Sequence, residues 1–404
     1  MNNTATIIRS CTFAFTFVAL LAASLHPAKG QVPGVAPEKK WSLKGYAKLM
    51  QTFNVAEGTD SLLVDNLIHN RLNFQWFPDE EWTVRVEMRN RMFYGDFVQL
   101  IPQYDRFIDV NDDYFDLSFF PVKGDNFLFH SMLDRAYVQW RKNDWEVSLG
   151  RQRINWGVNL AWNPNDIFNA YNFFDFDYEE RPGSDALRVV HYTGFASSIE
   201  FAAKAADSWD ELVAAGLWKI NQWNYDFQFL GGVDRGDVVM GTGWAGNIGQ
   251  AGFKGEASYW RPYNRYWYKE AEDIFVGSVA FDYLFKSSIY LYGSYLYNSG
   301  GETDPNFGLV GLAANQQLTA KNLIPYTHTL LLQGSYPITP LLSASMSSIY
   351  FPGATNGLFI SPNINLSMFQ NWDLDLFAQL FFNDTTEGYK ASSKFFYLRF
   401  KFSF

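Results

Sequence analysis

The last ten residues of the chain, FFYLRFKFSF, restrict its fold more than any other segment. Apolar and polar side chains alternate along it with a two-residue period: the apolar set is Phe396, Leu398, Phe400, Phe402 and Phe404, and the other set is Tyr397, Arg399, Lys401 and Ser403. Successive side chains of a β-strand point to opposite faces, so the pattern predicts a strand with one apolar and one polar face. Such a strand requires an apolar environment on one side only.

Segments of the same amphipathic kind recur along the chain. Within 82–94, for example, Val84 and Val86 fall on one face while Arg85 and Glu87 fall on the other. Each segment is close to the roughly 9–11 residues with which a tilted strand crosses a bilayer. We count 18 of them, with 16 as the alternative: 41–53, 69–77, 82–94, 133–141, 145–156, 186–192, 197–204, 211–219, 224–233, 238–248, 252–260, 274–285, 288–297, 325–336, 341–350, 358–367, 372–383 and 395–404.

The links between these segments alternate in length. Every second link is tight, namely 78–81, 142–144, 249–252, 337–340 and 370–371, and the intervening links include 95–132, 157–185, 261–273, 298–324 and 384–394. A transmembrane barrel has short periplasmic turns and longer extracellular loops, whereas a soluble two-sheet sandwich, the alternative for an all-β chain, has no reason to sort its links this way. The sequence therefore predicts one antiparallel β-barrel over residues 41–404. On its closing strand, the apolar set would face lipid and the other set would face the lumen. We expect Asp375 to lie opposite Lys401 on the lumen face, with Arg399 one step along.

The N-terminus has the composition of a secretory signal peptide over residues 1–30. Arg9 precedes an uncharged stretch, and Ala28-Lys29-Gly30 places small residues at the −3 and −1 positions of a cleavage site. Residues 31–40 are a linker. The single cysteine, Cys11, lies in the leader without a lipobox, so the mature chain has no disulfide and no cysteine-based metal or redox site.

Charge and hydropathy exclude two further classes of protein. The formal net charge is −10, which argues against nucleic acid as a partner, because a nucleic-acid-binding protein has a basic patch. Aromatic residues make up 19% of the chain, yet its mean hydropathy is slightly negative. A helical membrane protein is far more apolar, but a barrel exposes only every second strand residue to lipid.

Two segments resemble known proteins. The C-terminal strand, which ends in Phe404, resembles the closing strand of Gram-negative outer-membrane barrels. That resemblance implies an outer-membrane location, contact with lipopolysaccharide, and recognition of this strand by the barrel-assembly machinery. The second segment combines GRQ at 150–152, Trp156-Gly157, NPND at 163–166 and RPGSDAL at 181–187. It resembles a poorly characterised family of porin-like outer-membrane proteins that look loosely like alginate-export barrels, which implies a pore without an agreed substrate.

Arginines are concentrated on the predicted inner faces of the early strands. An arginine facing lipid near the midplane costs about 2–4 kcal/mol, so we expect most of them to line the lumen. They either form an electropositive wall that attracts anionic or polyhydroxylated solutes, or pair with acids such as Glu87, Asp134 and Glu146, and the two roles are compatible. The parity of Arg151 and Arg153 implies a bulge or a strand end near Gly150. The candidate pore-lining set is Arg71, Arg85, Glu87, Arg89, Arg91, Arg135, Arg151, Arg153 and Arg188.

The predicted loop 157–185 is too long for an unstructured connection, which indicates a functional role. Asn165 and Asp166 are candidates to open a short helix, and the second half is acidic, with Asp175, Asp177, Glu179 and Glu180. Folded inward, this constriction loop would face the arginines and narrow the lumen. Folded outward, its acids would bind cations that bridge lipopolysaccharide or remain solvated.

Two other loops carry candidate binding residues. Asp109, Asn111 and Asp113 match the first three ligands of a calcium loop, but Tyr114 and Phe120 occupy its glycine and glutamate positions, so an EF-hand is excluded. A looser calcium site and a solvated acidic lid remain open. The aromatic residues Trp260, Tyr263, Tyr266, Trp267 and Tyr268 suit either a membrane girdle, which we favour, or sugar stacking.

Catalysis has little support in the sequence. His130 near Ser131 and Asp134 is the only arrangement that merits a test, and sequence neighbours do not by themselves form a triad. We therefore expect a channel for small anionic or sugar-like solutes, with no enzymatic activity, cofactor or metal. The alternatives are an export channel for an acidic polysaccharide and a closed structural or adhesion barrel. The sequence does not determine the oligomeric state.

Overall fold

A computed structural model describes residues 39–55, 62–109, 113–171, 173–175, 177, 179–263, 272–302, 318–353, 356–385 and 388–404. The predicted signal peptide and most of the linker lie outside the described residues. Within the described ranges, no helix has both the length and the apolar character needed to cross a membrane.

Nineteen strands and two short helices make up the described fold. The helices are α1 (Asp96–Leu100) and α2 (Tyr104–Ile108). The strands are β1 (Trp41–Val55), β2 (Leu62–Trp76), β3 (Trp82–Gly95), β4 (Ser118–Lys123), β5 (Phe127–Lys142), β6 (Trp145–Gln152), β7 (Ser184–Gly194), β8 (Ser197–Lys204), β9 (Val213–Gln222), β10 (Tyr225–Asp234), β11 (Asp237–Ile248), β12 (Ala251–Pro262), β13 (Ile274–Leu284), β14 (Tyr290–Asn298), β15 (His328–Thr339), β16 (Leu342–Phe351), β17 (Gly357–Phe369), β18 (Trp372–Thr385) and β19 (Gly388–Ser403).

The sheet closes on itself as an antiparallel barrel. Strand β4 pairs only with β5, and the other 18 strands form a ring in chain order that β1 and β19 close from Tyr46↔Ser403 to Val55↔Lys394. The predicted 18-stranded barrel is confirmed, and the alternative of 16 strands is wrong. Two-residue turns such as 143–144, 249–250 and 340–341 gather at one end of the barrel, and the long links 96–126 and 153–183 gather at the other.

The closing strand departs from the prediction in its register. Asp375 lies opposite Arg399 rather than Lys401, and Asp373 lies opposite Lys401. The predicted loop 384–394 is also wrong, because β18 continues to Thr385 and β19 begins at Gly388. Both strands continue almost to the link that joins them, and their pairing shifts register at Phe381/Phe382. Each residue near the C-terminus therefore lies opposite a partner two positions from the predicted one.

Side chains sort by face around the ring. Leu149, Met240 and Leu332 on the outer face are 64%, 64% and 59% exposed, which marks the surface that a bilayer would cover. At the short-turn end, Trp41 pairs with Trp76 on neighbouring strands. Tryptophans at this level are typical of the interfacial girdle of membrane barrels.

The packed core lies inside the barrel rather than between layers. It is formed by the link between β6 and β7 and by a segment at 318–327, which pack against inner-face residues of β7–β19. Trp156 and Trp162 of the first segment and Tyr326 of the second are among its most buried members. On this side the two segments therefore occupy the lumen.

Candidate functional site

The link 153–183, here called the inward loop, crosses the interior of the barrel from one wall to another. Its first half is fixed to the wall of β8–β13. The Trp156 indole Nε1–H donates to Glu200 Oε1 on β8 at 2.6 Å, and Gln228 on β10 donates to the Trp156 carbonyl at 2.7 Å. These contacts, together with apolar burial, hold residues 154–170 against the inner sheet.

A single buried carboxylate organises the turn of this first half. Glu256 on β12 accepts backbone N–H groups from Val158 at 2.6 Å, Asn159 at 2.8 Å and Asn165 at 3.1 Å. The Asn165 side chain is fixed as well, since it donates to the Thr242 carbonyl and accepts from Ser258. Asn165 therefore anchors the loop to the wall, and the predicted helix beginning at Asn165-Asp166 does not form. The Asn165 N–H donates to Glu256, and the Asp166 N–H closes a turn on the Asn163 carbonyl at 3.1 Å.

The second half of the inward loop is held by charge. Asp177 lies at the centre of four basic side chains: His69 Nδ1 at 2.6 Å, Lys48 Nζ at 3.1 Å, Arg89 Nη2 at 3.8 Å and Arg399 Nη1 at 3.9 Å. Burial alone would raise the pKa of Asp177, but the adjacent His69, Lys48 and Arg89 hold it well below its usual range. We call these five residues the Asp177 cluster.

The neighbouring acids extend this attachment. Glu179 contacts Lys48 at 3.1 Å and Lys401 at 2.8 Å. Glu180 accepts from the Tyr46 hydroxyl at 3.1 Å and lies 3.6 Å from Arg71. The acidic half thus lies in direct contact with the wall formed by β1, β2 and β19.

The predicted arginine set divides into separate groups. Arg71 is fully buried and pairs with Glu87 and Asp134, both at 2.6 Å. A register shift at Glu87/Met88 places Asp134 of β5 in a bulge, so that Asp134 and Arg135 are both buried although they are consecutive. Arg135 donates to the carbonyls of residues 180 and 181 at 3.0 and 2.7 Å.

Other members of the set lie apart from this group. Arg188 bridges Glu200 at 2.7 Å and Glu146 at 2.9 Å. Arg151 forms a two-point pair with Asp185 at 2.9 and 2.7 Å, just before β6 ends at Gln152. The strand end predicted near Gly150 is therefore present, and Gly150 takes a φ of 119° that favours glycine.

The remaining predicted residues have weaker attachments. Arg85 lies over the Tyr137 ring with its Cζ 6.0 Å from the centroid, and Arg91 donates to the Ile108 carbonyl at 2.9 Å. Arg153 lies on the inward loop beyond the end of β6. Asp166 is buried there and accepts from the Trp156 N–H, whereas Asp175 is exposed and accepts from the Asp177 N–H at 3.2 Å.

The calcium and hydrolase candidates do not assemble. Asp109 contacts His130 and Ser118, whereas Asp113 contacts Lys204 and Arg151, so the two carboxylates do not converge. Asn111 lies outside the described residues, and the described ones contain no group of acids, histidines or cysteines suited to a metal ion.

His130 has neither of its predicted catalytic neighbours. The ring lies between Asp109 and Arg91, and Ser131 donates instead to Asn90 at 2.8 Å. A hydrolase needs its nucleophile within hydrogen-bonding reach of the histidine. In the aromatic group, Trp260 is buried and donates to Asp234, so it does not belong to a girdle; Tyr266, Trp267 and Tyr268 lie outside the described residues.

Several residues of the site are missing from the candidate sets predicted from the sequence. Lys48, His69 and Arg399 of the Asp177 cluster come from three different strands, and Glu256 comes from a fourth. The alternation on β1 places Lys48 on the inner face, which was the one signal available for it. Nothing in the sequence indicates that these side chains converge, because the convergence depends on barrel closure.

Comparison with known proteins supports the architecture. The sequence matches no protein-family model and no curated protein. The structure is similar to OccAB4 of Acinetobacter baumannii, with a TM-score of 0.57 and 8% identity over 91% of this chain and 100% of that one. It is also similar to OccK8 (OprE) of Pseudomonas aeruginosa, with a TM-score of 0.56 and 10% identity over 90% of this chain and 98% of that one.

The chain has a porin-like barrel fold. At identities this low the likeness establishes the fold alone. It agrees with the porin-like part of the resemblance seen in the sequence, and nothing in the comparisons bears on the alginate-export part.

Proposed function

We propose that this protein is an outer-membrane channel for small anionic or sugar-like solutes, with its short-turn end in the periplasm. An 18-stranded barrel encloses a lumen wide enough for an aqueous passage unless loops fill it. Outward apolar side chains, the tryptophan girdle and the porin-like fold support the membrane location. Lipopolysaccharide and the barrel-assembly machinery are its proposed partners there.

One observation supports the preference for anions. The wall carrying Lys48, Arg71, Arg89 and Arg399 holds three carboxylates of its own inward loop, those of Asp177, Glu179 and Glu180. Guanidinium and ammonium groups placed for these carboxylates are equally suited to a carboxylate or phosphate on a solute. The inward loop is, in this proposal, the constriction of the channel.

The test is the reversal potential of single channels in a planar bilayer under a salt gradient. We expect anion preference in the wild type and a weaker preference in Arg85→Gln, since Arg85 has no carboxylate within 4.0 Å among the described residues. Arg261→Gln is the matched control, because Arg261 is exposed on the outer face of β12. Cation preference in the wild type would contradict the proposal.

A closed structural barrel is the second candidate, supported by the extent to which the inward loop packs against the wall. Steady conductance steps from the purified protein would exclude it, and their absence would favour it. The polysaccharide-export alternative has no such support, since the loop crosses the path that a polymer would take.

A further inference from the structure

The outer wall of β2, β3 and β5 carries a group of polar side chains. Asn70 on β2 lies opposite Asn90 on β3, and Ser131 on β5 lies opposite Asn90 from the other side. Asn90 alternates in step with Val86 of the same strand, whose side chain is 37% exposed. Alternate residues of a strand share a face, so these three polar residues belong to the outer face. The neighbouring residue of opposite parity, Arg89, contacts the inward loop inside the barrel.

Amide side chains lie on the outer face in one part of the barrel only. Within the described ranges, and away from strand ends, asparagine and glutamine face outward only on β1, β2 and β3, as Gln51, Asn66, Asn70 and Asn90. On other strands they face inward; Gln228 and Gln379, for example, donate to carbonyls of the inward loop. We call the four outward amides, together with Ser131, the amide face.

The amide face lies within the depth of the bilayer. Asn70 is six residues along β2 from Trp76 of the short-turn girdle. With a rise of about 3.3 Å per residue and a strand tilt of about 40°, Asn70 lies roughly 15 Å above that girdle, in an apolar band about 25 Å tall. Hydrocarbon chains offer neither donors nor acceptors, so lipid leaves such groups without partners. Amides at this depth therefore indicate a covering surface other than lipid.

The hydrogen bonds within the amide face use only part of its capacity. Asn70 donates to the Tyr46 carbonyl at 3.0 Å. Asn90 donates to the side-chain oxygen of Asn70 at 3.3 Å, and it accepts from Ser131 at 2.8 Å. An amide has two N–H donors and an oxygen with two lone pairs, so each asparagine retains a donor and an acceptor that no described group takes up. Ala47, opposite Asn70 on β1, is small enough for a partner to approach closely.

We propose that the amide face is the interface through which this chain assembles with a second copy of itself. Asparagine and serine both donate and accept, so the same face on another copy supplies the groups that each lacks. The face is uncharged and needs no oppositely charged partner surface. Most oligomers are closed assemblies of identical chains.

The available area is in the range of a stable interface. Five adjacent strands, β19, β1, β2, β3 and β5, include the amide face. With strands about 4.8 Å apart and an apolar band about 25 Å tall, they offer about 600 Å² of flat wall per copy, before side-chain relief is counted, against about 800 Å² per partner in a standard interface. The inference rests on the membrane location in the proposed function and is independent of the solute.

The first arm of the test measures the oligomeric state of the protein in a mild detergent, by sedimentation velocity over a range of protein concentrations. We expect the wild type to be an oligomer and the double variant Asn70→Leu/Asn90→Leu to associate at least about tenfold more weakly. Thr242→Leu/Ser348→Leu is the matched control, because it also introduces leucine on the outer face, opposite Phe229 and Leu332. Both variants should keep the circular dichroism of a folded barrel, since leucine suits a lipid-facing position.

The second arm measures proximity in the membrane, where no detergent separates the copies. Ala47→Cys places a thiol beside Asn70, and Met240→Cys places one on the outer face of β11. The native Cys11 lies in the predicted signal peptide, so each mature variant has one thiol. With a flexible bismaleimide linker we expect covalently joined pairs of chains for Ala47→Cys and none for Met240→Cys.

The proposal is overturned by a wild type that is monomeric in detergent and also fails to cross-link through Ala47→Cys. An unchanged oligomer in Asn70→Leu/Asn90→Leu, an equal weakening in the control variant, or equal cross-linking at both cysteines would overturn it too. A cross-link from Ala47→Cys to a different protein, in place of a second copy, has the same consequence. Recovery in the outer-membrane fraction tests the location separately, and reversal potentials of the same samples test the channel.

Discussion

The two halves of the inward loop are attached to the barrel by different forces. Residues 154–170 are buried against β8–β13 by apolar packing and by backbone hydrogen bonds to one carboxylate. Asp177, Glu179 and Glu180 meet β1, β2 and β19 through ion pairs. Packing is insensitive to competing solutes, whereas an ion pair can exchange one anion for another.

This difference assigns separate roles to the halves. The apolar half fixes the position of the loop, because removing it from the wall exposes buried tryptophans and leaves backbone groups without partners. We expect the ionic half to be the more easily displaced of the two, because another anion can compete with Asp177 or Glu179 for the basic side chains. The following changes test that division, from the largest expected effect to the smallest.

Trp162→Ala should lower the free energy of unfolding most. The side chain is 1% exposed, and truncating a buried aromatic residue costs about 3–5 kcal/mol. Denaturant unfolding followed by circular dichroism measures the change. Leu160→Ala is the control in the same half, because Leu160 is 49% exposed and should change the stability by no more than about 0.5 kcal/mol. Equal effects of the two variants would show that the first half is not a packed anchor.

Asp177→Asn should detach the acidic half. Removing one member of a buried ionic cluster leaves its partners uncompensated, at a cost of about 3 kcal/mol. We expect lower stability and, unlike for Trp162→Ala, a larger single-channel conductance with a stronger anion preference. Asp373→Asn is the matched control on the inner face of β18, where the Asp373 carboxylate accepts from the Ser367 hydroxyl at 2.7 Å. Identical conductance in wild type and Asp177→Asn would refute the assignment of the ionic half as the releasable one.

Trp156→Phe should lower stability by a smaller amount. It retains most of the ring but removes the N–H that donates to Glu200, a charge-assisted bond of about 1.5–3 kcal/mol. Conductance should not change, because this bond belongs to the fixed half. Trp218→Phe serves as the comparison, since Trp218 is 49% exposed on the outer face. A conductance change in Trp156→Phe alone would show that the two halves are coupled.

Lowering the pH from 7 to 5 should have the smallest effect on the ionic half. The pKa of Asp177 is held below its usual range, so its contribution to stability is complete above the ordinary aspartate pKa of about 3.9 and is lost only as the pH falls through the lowered value. Conductance of the wild type at the two pH values measures this. A loop that opened by pH 5 would mean that a group other than Asp177 controls it.

The strands were the most predictable part of the molecule. Alternation in segments such as 82–94 and 395–404 gave both the number of barrel strands and their faces, because the two-residue period is a property of each strand alone. Boundaries were less accurate: β2 begins at Leu62 rather than 69, and β5 at Phe127 rather than 133. The additional strand residues lie outside the alternating segments, where the sequence gives no signal for a strand.

The candidate site was predictable in composition but not in arrangement. The sequence places arginines on inner faces and acids on one loop, yet it pairs Asp375 with Lys401 where the structure pairs it with Arg399. A register shift of two residues leaves every side chain on the same face of the sheet, so the hydrophobic pattern cannot detect it. The pairing of Arg71 with both Glu87 and Asp134 likewise accompanies a register shift, the one at Glu87/Met88.

By itself the sequence predicted the class of fold, a barrel of 18 strands and which face of each strand is apolar. Those follow from local alternation repeated along the chain. Only the tertiary structure decided that Lys48, His69, Arg89 and Arg399 meet at Asp177. The reason is geometric: barrel closure brings β19 beside β1, and the inward loop crosses between walls whose residues are hundreds of positions apart in the chain.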